Sequence, residues 1–188
     1  MKKGDYISAI LRSKSTVFSF KDISLLWGDS GNAARVRISY YIKNKDLYRI
    51  RQGFYAKDRN YDRLELATKI YTPSYVSFET VLAKAGIIFQ LYSQIFIASY
   101  LTREIIADNQ KYSYRKIKDS VLTNNLGIEQ KDNYSIATAE RAFLDVVYSN
   151  KNYHFDNLSN IDWNKVYEVL PIYNNKQMEK KVKKYQKT

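Results

Sequence analysis

The clearest change of hydrophobic period in this chain runs from Phe18 to Ala56. Phe20–Trp27 (FKDISLLW) has the apolar spacing and length of a short helix, with Ser19 placed to cap it and Asp22 in its first turn. Gly28-Asp29-Ser30-Gly31 interrupts the pattern, and Asn32–Asn44 (NAARVRISYYIKN) resumes it as a second helix. In that second run Ala34, Ile38, Tyr41 and Ile42 share a face, expected to meet Ile23, Leu26 and Trp27 in a small core. Leu47–Ala56 (LYRIRQGFYA) then switches to a period of two, with Arg51-Gln52-Gly53 at the turn of a hairpin. Tyr48, Ile50 and Phe54 fall on one side of it, and Arg49, Arg51 and Tyr55 on the other. A leading helix over Tyr6–Leu11 is expected to pack under the other two, and Val17-Phe18 to form a short strand beside the hairpin. Two helices across a tight turn, followed by a hairpin, predict a winged helix-turn-helix.

The second half alternates helical and extended segments. Helices are predicted over Arg63–Tyr71, with Leu64, Ala67 and Ile70 or Tyr71 inward, and over Phe78–Ala85, capped by Ser77 and stopped by Gly86. Ile87–Leu101 reads as strand-rich, Glu104–Ala107 and Lys111–Ile117 as strands joined by Asp108-Asn109-Gln110, and Leu126–Gln130 as another strand. Ser135-Ile136-Ala137 leads into a helix over Thr138–Tyr148, with Ala142, Phe143, Val146 and Val147 inward and Arg141 spaced to pair with Asp145. A polar connector follows, then a helix over Asp162–Leu170, a break at Pro171 and a lysine-rich end over Gln177–Lys187. The expectation is an α+β protein: an N-terminal winged helix-turn-helix, a small α+β domain with mostly antiparallel strands, and a basic C-terminal helical tail.

Charge sharpens this division. The net charge is +12, and residues 1–60 carry +8, residues 61–170 carry −1 and residues 171–188 carry +5. These zones define the expected domains: 1–60 for DNA binding, 61–170 as the α+β domain and 171–188 as a basic tail. Such a field favours a polyanion. The chain has no cysteine, which removes disulfides and thiolate metal sites and fits a reducing cytoplasm. The N-terminus starts basic, but Asp5 and Arg12 interrupt it before a signal-peptide core develops. The most apolar stretch, 85–101, is broken by Gln90, Ser93, Gln94 and Ser99 and is too polar to span a bilayer.

The candidate chemistry follows from these elements. The outward face of the second helix carries Asn32, Val36, Ser39, Tyr40 and Lys43, flanked by Arg35 and Arg37. Asn, Ser and Arg supply donors and acceptors to base edges, and Val36 suits a thymine methyl. Arg49, Arg51 and Gln52 on the wing suit the neighbouring phosphates or minor groove. The single histidine, His154, stands in a polar loop, so a His-based triad or metal cluster is not expected. One enzyme-like pattern remains: Asp119 with Glu129-Gln130-Lys131, the kind of set by which nucleases hold Mg²⁺, here weighed as a chance occurrence. No catalytic residue, metal or cofactor is therefore expected. An RNA-binding or general nucleic-acid-binding protein with little sequence preference is the other rival.

Three segments carry a resemblance. The winged segment ends in LYRIRQGFYA; Pro73–Ile87 reads PSYVSFETVLAKAGI; Tyr134–Tyr148 reads YSIATAERAFLDVVY. In order and spacing these are similar to the AbiEi-type antitoxins, the transcriptional regulators of type IV toxin–antitoxin (abortive infection, phage-defence) operons. Together they span most of residues 5–148. The resemblance implies a repressor that binds double-stranded operator DNA, with two copies on inverted repeats. It also implies a partner, a nucleotidyltransferase-like toxin encoded beside it. Glu140, Arg141 and Asp145 match the family's signature helix and are read as structural. The short second domain and lysine-rich tail depart from longer family members, which leaves a stand-alone winged-helix regulator as the alternative.

Overall fold

The structure, a computed structural model, describes residues 5–150 and 152–187. The basic start at residues 1–4 lies outside them. The protein is α+β, and the chain divides into two compact units, Met1–Leu66 and Ala67–Thr188.

The first unit runs α1 (Asp5–Arg12), β1 (Val17–Ser19), α2 (Phe20–Trp27), α3 (Gly31–Lys43), β2 (Tyr48–Arg51) and β3 (Phe54–Ala56). The local sequence accounts for each start and stop. Ser19 and Asp22 form a reciprocal capping box, in which the Ser19 hydroxyl accepts from the Asp22 amide and the Asp22 carboxylate accepts from the Ser19 amide. Such a cap is worth about 1 kcal/mol. Gly28 ends α2 in the left-handed conformation at φ 66°. The strands form a sheet in the order β1-β3-β2, antiparallel throughout, with a bulge between Arg49 and Arg51. Phe20 N–H donates to Gly53 O at 2.8 Å, tying the hairpin turn to the start of α2.

The core of this unit gathers Tyr6, Ile10, Phe18, Ile23, Trp27, Ile38, Tyr41, Leu47 and Tyr55. Trp27 is held from both ends of its chemistry: its ring meets Tyr6 edge-on at 5.7 Å, and its indole N–H donates to Tyr6 O at 2.8 Å. Two sequence expectations need correction. Leu26 is 41% exposed, because its position lies about 100° around α2 from the buried Trp27. Tyr55, expected on the cationic side of the hairpin, is buried in the core, because it pairs with the core residue Phe18 of β1 and directly opposed antiparallel partners share a face.

The elements α4 (Arg63–Ile70), β4 (Ser74–Val76), α5 (Glu79–Lys84), β5 (Ile95–Ser99), β6 (Arg103–Ala107) and β7 (Gln110–Lys116) come next. They are followed by α6 (Asp119–Leu122), β8 (Ile128–Gln130), β9 (Ser135–Ala137), α7 (Ala139–Ser149), α8 (Trp163–Val169), a 3-10 turn (Leu170–Tyr173) and α9 (Lys176–Gln186). The boundary between units falls within α4, after Leu66. In α4 the buried residues are Glu65, Leu66 and Ala67, whereas Leu64 is half-buried.

The second unit's sheet has the order β6-β7-β5-β4-β9-β8. It is mixed: β4·β5, β6·β7 and β8·β9 are antiparallel, while β5·β7 and β4·β9 are parallel. β6 and β7 are joined by Asp108-Asn109, both at positive φ, the conformation a two-residue hairpin turn requires. The strand-rich reading of 87–101 narrows to β5, because residues 87–94 form a loop. Thr138 caps α7, and α7 packs against α5, α8 and α9. The lysine-rich end folds as α9, capped by Asn175, with Met178 and Val182 buried. Among the described residues, no helix is long and apolar enough to cross a membrane.

Candidate nucleic-acid interface

The helix α3 has two unlike faces. Ala34, Ile38 and Tyr41 are buried, whereas Asn32, Arg35, Val36, Ser39, Tyr40 and Lys43 are exposed. Val36 is 73% exposed on this polar face, and it lines a hollow of about 590 Å³ with Asn32, Ala33, Arg37, Tyr40 and Tyr41. Arg35 Nη1 donates to Asn32 Oδ1 at 3.2 Å, and its guanidinium lies 5.5 Å from the centre of the Phe20 ring. Phe20 is the residue whose amide holds the hairpin turn, so Arg35 and the turn converge on one residue. Ser39 donates its hydroxyl back to Arg35 O at 2.9 Å, leaving its oxygen to accept.

Arg37 stands apart from this row. Its Nε donates to Asp29 Oδ2 at 2.8 Å, and its guanidinium lies 3.5 Å from the Tyr6 ring centre. The hydrogen bond from Arg37 to Asp29 holds the guanidinium above its ordinary pKa, opposing the effect of burial. With a side chain only 29% exposed, Arg37 clamps the α2–α3 turn onto α1.

On the hairpin, Arg49 and Gln52 are exposed. Arg51 is half-buried, and its Nη1 is buried with no hydrogen-bond partner among the described residues. The expectation that Arg49 and Arg51 share one solvent face therefore fails at the bulge. Sequence reasoning passed over Arg59, whose guanidinium lies 5.4 Å from the Tyr48 ring centre. Lys45, Arg49 and Arg59 line a hollow of about 450 Å³ with Tyr48 and Asp58. The signal for Arg59 was its spacing beyond the hairpin, legible only once Tyr48 was known to face it.

The signature helix of the second unit builds a different kind of site. Arg141 and Asp145 are fully buried, with Nε and Oδ1 3.5 Å apart. Asp145 accepts from Ser77 Oγ at 2.6 Å, Tyr173 Oη at 2.7 Å and Tyr75 Oη at 3.0 Å. Arg141 donates to Val121 O and Leu126 O at 2.7 Å and to Tyr75 Oη at 3.0 Å. Burial pushes the Asp145 carboxyl up, against the pull of Arg141 and the hydroxyls. Burial and then Asp145 push Tyr75 and Tyr173 well above the usual phenol range. Ser77 thus serves the buried carboxylate rather than capping α5, whose N-cap position is Phe78. Glu140, also buried, accepts from the Asp162 amide at 3.4 Å. The network is closed to solvent and ties β4, α6, α7 and the 3-10 turn together. Tyr75 and Ser77 were missed as partners, although their spacing of two, on β4 and just past its end, places them on one side.

The nuclease-like set has a simpler geometry. Glu129 Oε2 and Lys131 Nζ pair at 2.6 Å on the surface, and Asp119 is exposed at the start of α6. Among the described residues, no group of three or more His, Cys, Asp or Glu side chains is arranged to hold a metal ion. No protein-family model matches the sequence, and no curated protein matches it.

Proposed function

We propose that the first unit is a winged helix-turn-helix and that the protein is a sequence-specific, DNA-binding repressor. In this reading α3 enters a major groove. Asn32, Arg35, Ser39 and Tyr40 face bases or brace phosphates, Val36 meets a thymine methyl, and Lys43 reaches the backbone. Arg49 and Gln52 on the hairpin hold the adjacent backbone or minor groove, joined by Lys45 and Arg59, and Arg51 adds what its half-buried side chain leaves exposed. Arg37 positions the two helices and reaches DNA only by leaving Asp29.

The observation that carries the reading is the exposed row Asn32–Arg35–Val36–Ser39–Tyr40–Lys43 along one side of α3, opposite a buried apolar face. The element order and the β1-β3-β2 sheet support it, as does the +8 charge of residues 1–60. The second unit extends the proposal to an AbiEi-type antitoxin acting in the cytoplasm against a nucleotidyltransferase-like toxin. Two of the family-like segments meet in the Tyr75–Ser77–Arg141–Asp145 network, which gives their joint occurrence a physical reason.

Footprinting on the DNA upstream of the chain's own reading frame tests the first half. Protection of an inverted repeat at low nanomolar to tens of nanomolar protein is expected for a specific site. Protection only at micromolar protein, uniform along the fragment, would leave a non-specific binder. Co-expression with the adjacent toxin tests the second half: restored growth is expected. Persistent growth arrest with footprinting intact would leave a regulator alone.

A further inference from the structure

The segment between α7 and α8, read from sequence as a polar connector, builds a lined recess against α9. Two hollows adjoin there, of about 320 and 360 Å³, and share Asn152, Tyr153 and His154 as a common wall. The first is bounded by Phe155 and Tyr185 and by Lys181 and Lys184, one turn apart on α9. The second is bounded by Phe89, Gln90 and Tyr92.

The recess is rigidly built. Tyr185 Oη donates to Tyr153 O at 2.6 Å, and its ring meets Phe155 at 5.1 Å. Lys181 Nζ donates to Asn150 O at 3.2 Å, which fixes the ammonium at the rim. On the other side the Phe89 amide donates to Asp156 Oδ2 at 2.8 Å, and the amides of Asp156 and Asn157 donate to Ile87 O. This lattice holds the 87–92 loop in place while leaving the Phe89 ring 69% exposed. Tyr92 Oη donates to Gln90 Oε1 at 2.8 Å, so the Gln90 amide nitrogen keeps its donors for a ligand.

One hollow is lined by two lysines, and its neighbour by aromatic rings with an amide. A ligand that satisfies both has an anionic group joined to a flat, hydrogen-bonding ring. We infer that this recess binds a nucleotide, with its phosphate between Lys181 and Lys184 and its base on Phe89 and Tyr92. Asp156 lines the aromatic hollow, where its Oδ1 lies 3.8 Å from Nε2 of His154, a residue common to both hollows. The site lies wholly in the second unit and does not rest on the DNA-binding proposal. A free mononucleotide and the end of a single strand share this chemistry.

The test is a backbone-amide NMR titration of the full chain with AMP, adenosine, inorganic phosphate and the tetranucleotide d(A)4. Saturable shifts are expected at residues 152–156, 181–185 and 89–92, with AMP about tenfold tighter than adenosine, the loss expected for charge-assisted hydrogen bonds. Combining Lys181→Ala with Lys184→Ala should reduce AMP to the level of adenosine and leave adenosine unchanged. Phe89→Ala should weaken both about tenfold, as for one lost stacked base. Both changes sit at exposed or rim positions, so folding is retained and checked in the same spectra. Arg35→Ala, which weakens operator binding in the proposal above, should leave these shifts unchanged. Tighter binding of d(A)4 than AMP assigns a strand end; equal or tighter binding of AMP assigns a free nucleotide. Absence of saturable shifts here, or affinity for AMP unaltered by the lysine and phenylalanine changes, overturns the inference.

Discussion

Replacing Asp145 is the sharpest perturbation of the second unit. Its carboxylate is fully buried and accepts from three hydroxyls while facing Arg141. Asp145→Ala leaves the Ser77, Tyr75 and Tyr173 hydroxyls without their acceptor and the guanidinium without its counter-ion. Breaking a buried pair by removing one partner costs about 3–5 kcal/mol. The stranded hydroxyls keep the effect toward the upper end, since each unsatisfied buried group costs about 1–3 kcal/mol. For a unit of this size a 4 kcal/mol loss lowers the melting temperature by roughly 16 °C. Trp163, whose ring meets Phe143 at 5.8 Å in this unit, supplies a fluorescence probe for urea denaturation. The paired replacement Arg141→Met with Asp145→Leu removes both charges. It should cost less than the sum of the two single changes by more than about 1 kcal/mol, because neither charge is left alone. A single-variant loss below about 1 kcal/mol, or strict additivity, would refute the claim that the network is one cooperative unit.

Other consequences follow from the same geometry. Arg37→Ala should destabilise the first unit by about 1–2 kcal/mol through loss of the Asp29 pair and the Tyr6 ring contact; an unchanged Trp27 fluorescence transition would remove the clamp. Arg49→Ala and Arg59→Ala should each lower the slope of log affinity against log salt by about 0.9 on duplex DNA. An unaltered slope would take that residue off the phosphate backbone. Stability should fall above about pH 10, because Tyr75 and Tyr173 have folded pKa values raised above the unfolded phenol value. Below the unfolded value both states hold the proton and nothing is lost. Above it the unfolded state binds fewer protons, so each tyrosine removes up to about 1.4 kcal/mol per pH unit. Denaturation midpoints measured from pH 8 to 12 check this, and a flat profile contradicts it.

Local signals in the sequence carried the first unit well. Ser19, Asp22 and Gly28 bound α2 as their chemistry requires, and the 3.6-residue spacing of Ala34, Ile38 and Tyr41 gave the buried face of α3. What failed there depended on register: pairing with Phe18 puts Tyr55 in the core, and the bulge at Arg49–Arg51 separates the two arginines, which no pattern of period two encodes. In the second unit, helix α7 was legible from Thr138 and its apolar stripe. The partners of Asp145 were not, because Tyr75, Ser77 and Tyr173 lie 70, 68 and 28 residues away along the chain. The parallel pairings were hidden for the same reason, since they join β5 to β7 and β4 to β9 across intervening elements. The candidate interface was legible as a face of α3. The internal engagement of Arg37 was not, because Tyr6 and Asp29 reach it from outside that helix.

The most direct test of the DNA-binding account is a fluorescence-anisotropy titration of wild type and Arg35→Ala with the footprinted operator and with a scrambled duplex of equal length and composition. The account predicts that the variant loses about 1–3 kcal/mol on the operator and much less on the scrambled duplex. Equal affinity of the wild-type protein for both duplexes, with Arg35→Ala changing neither, would contradict it.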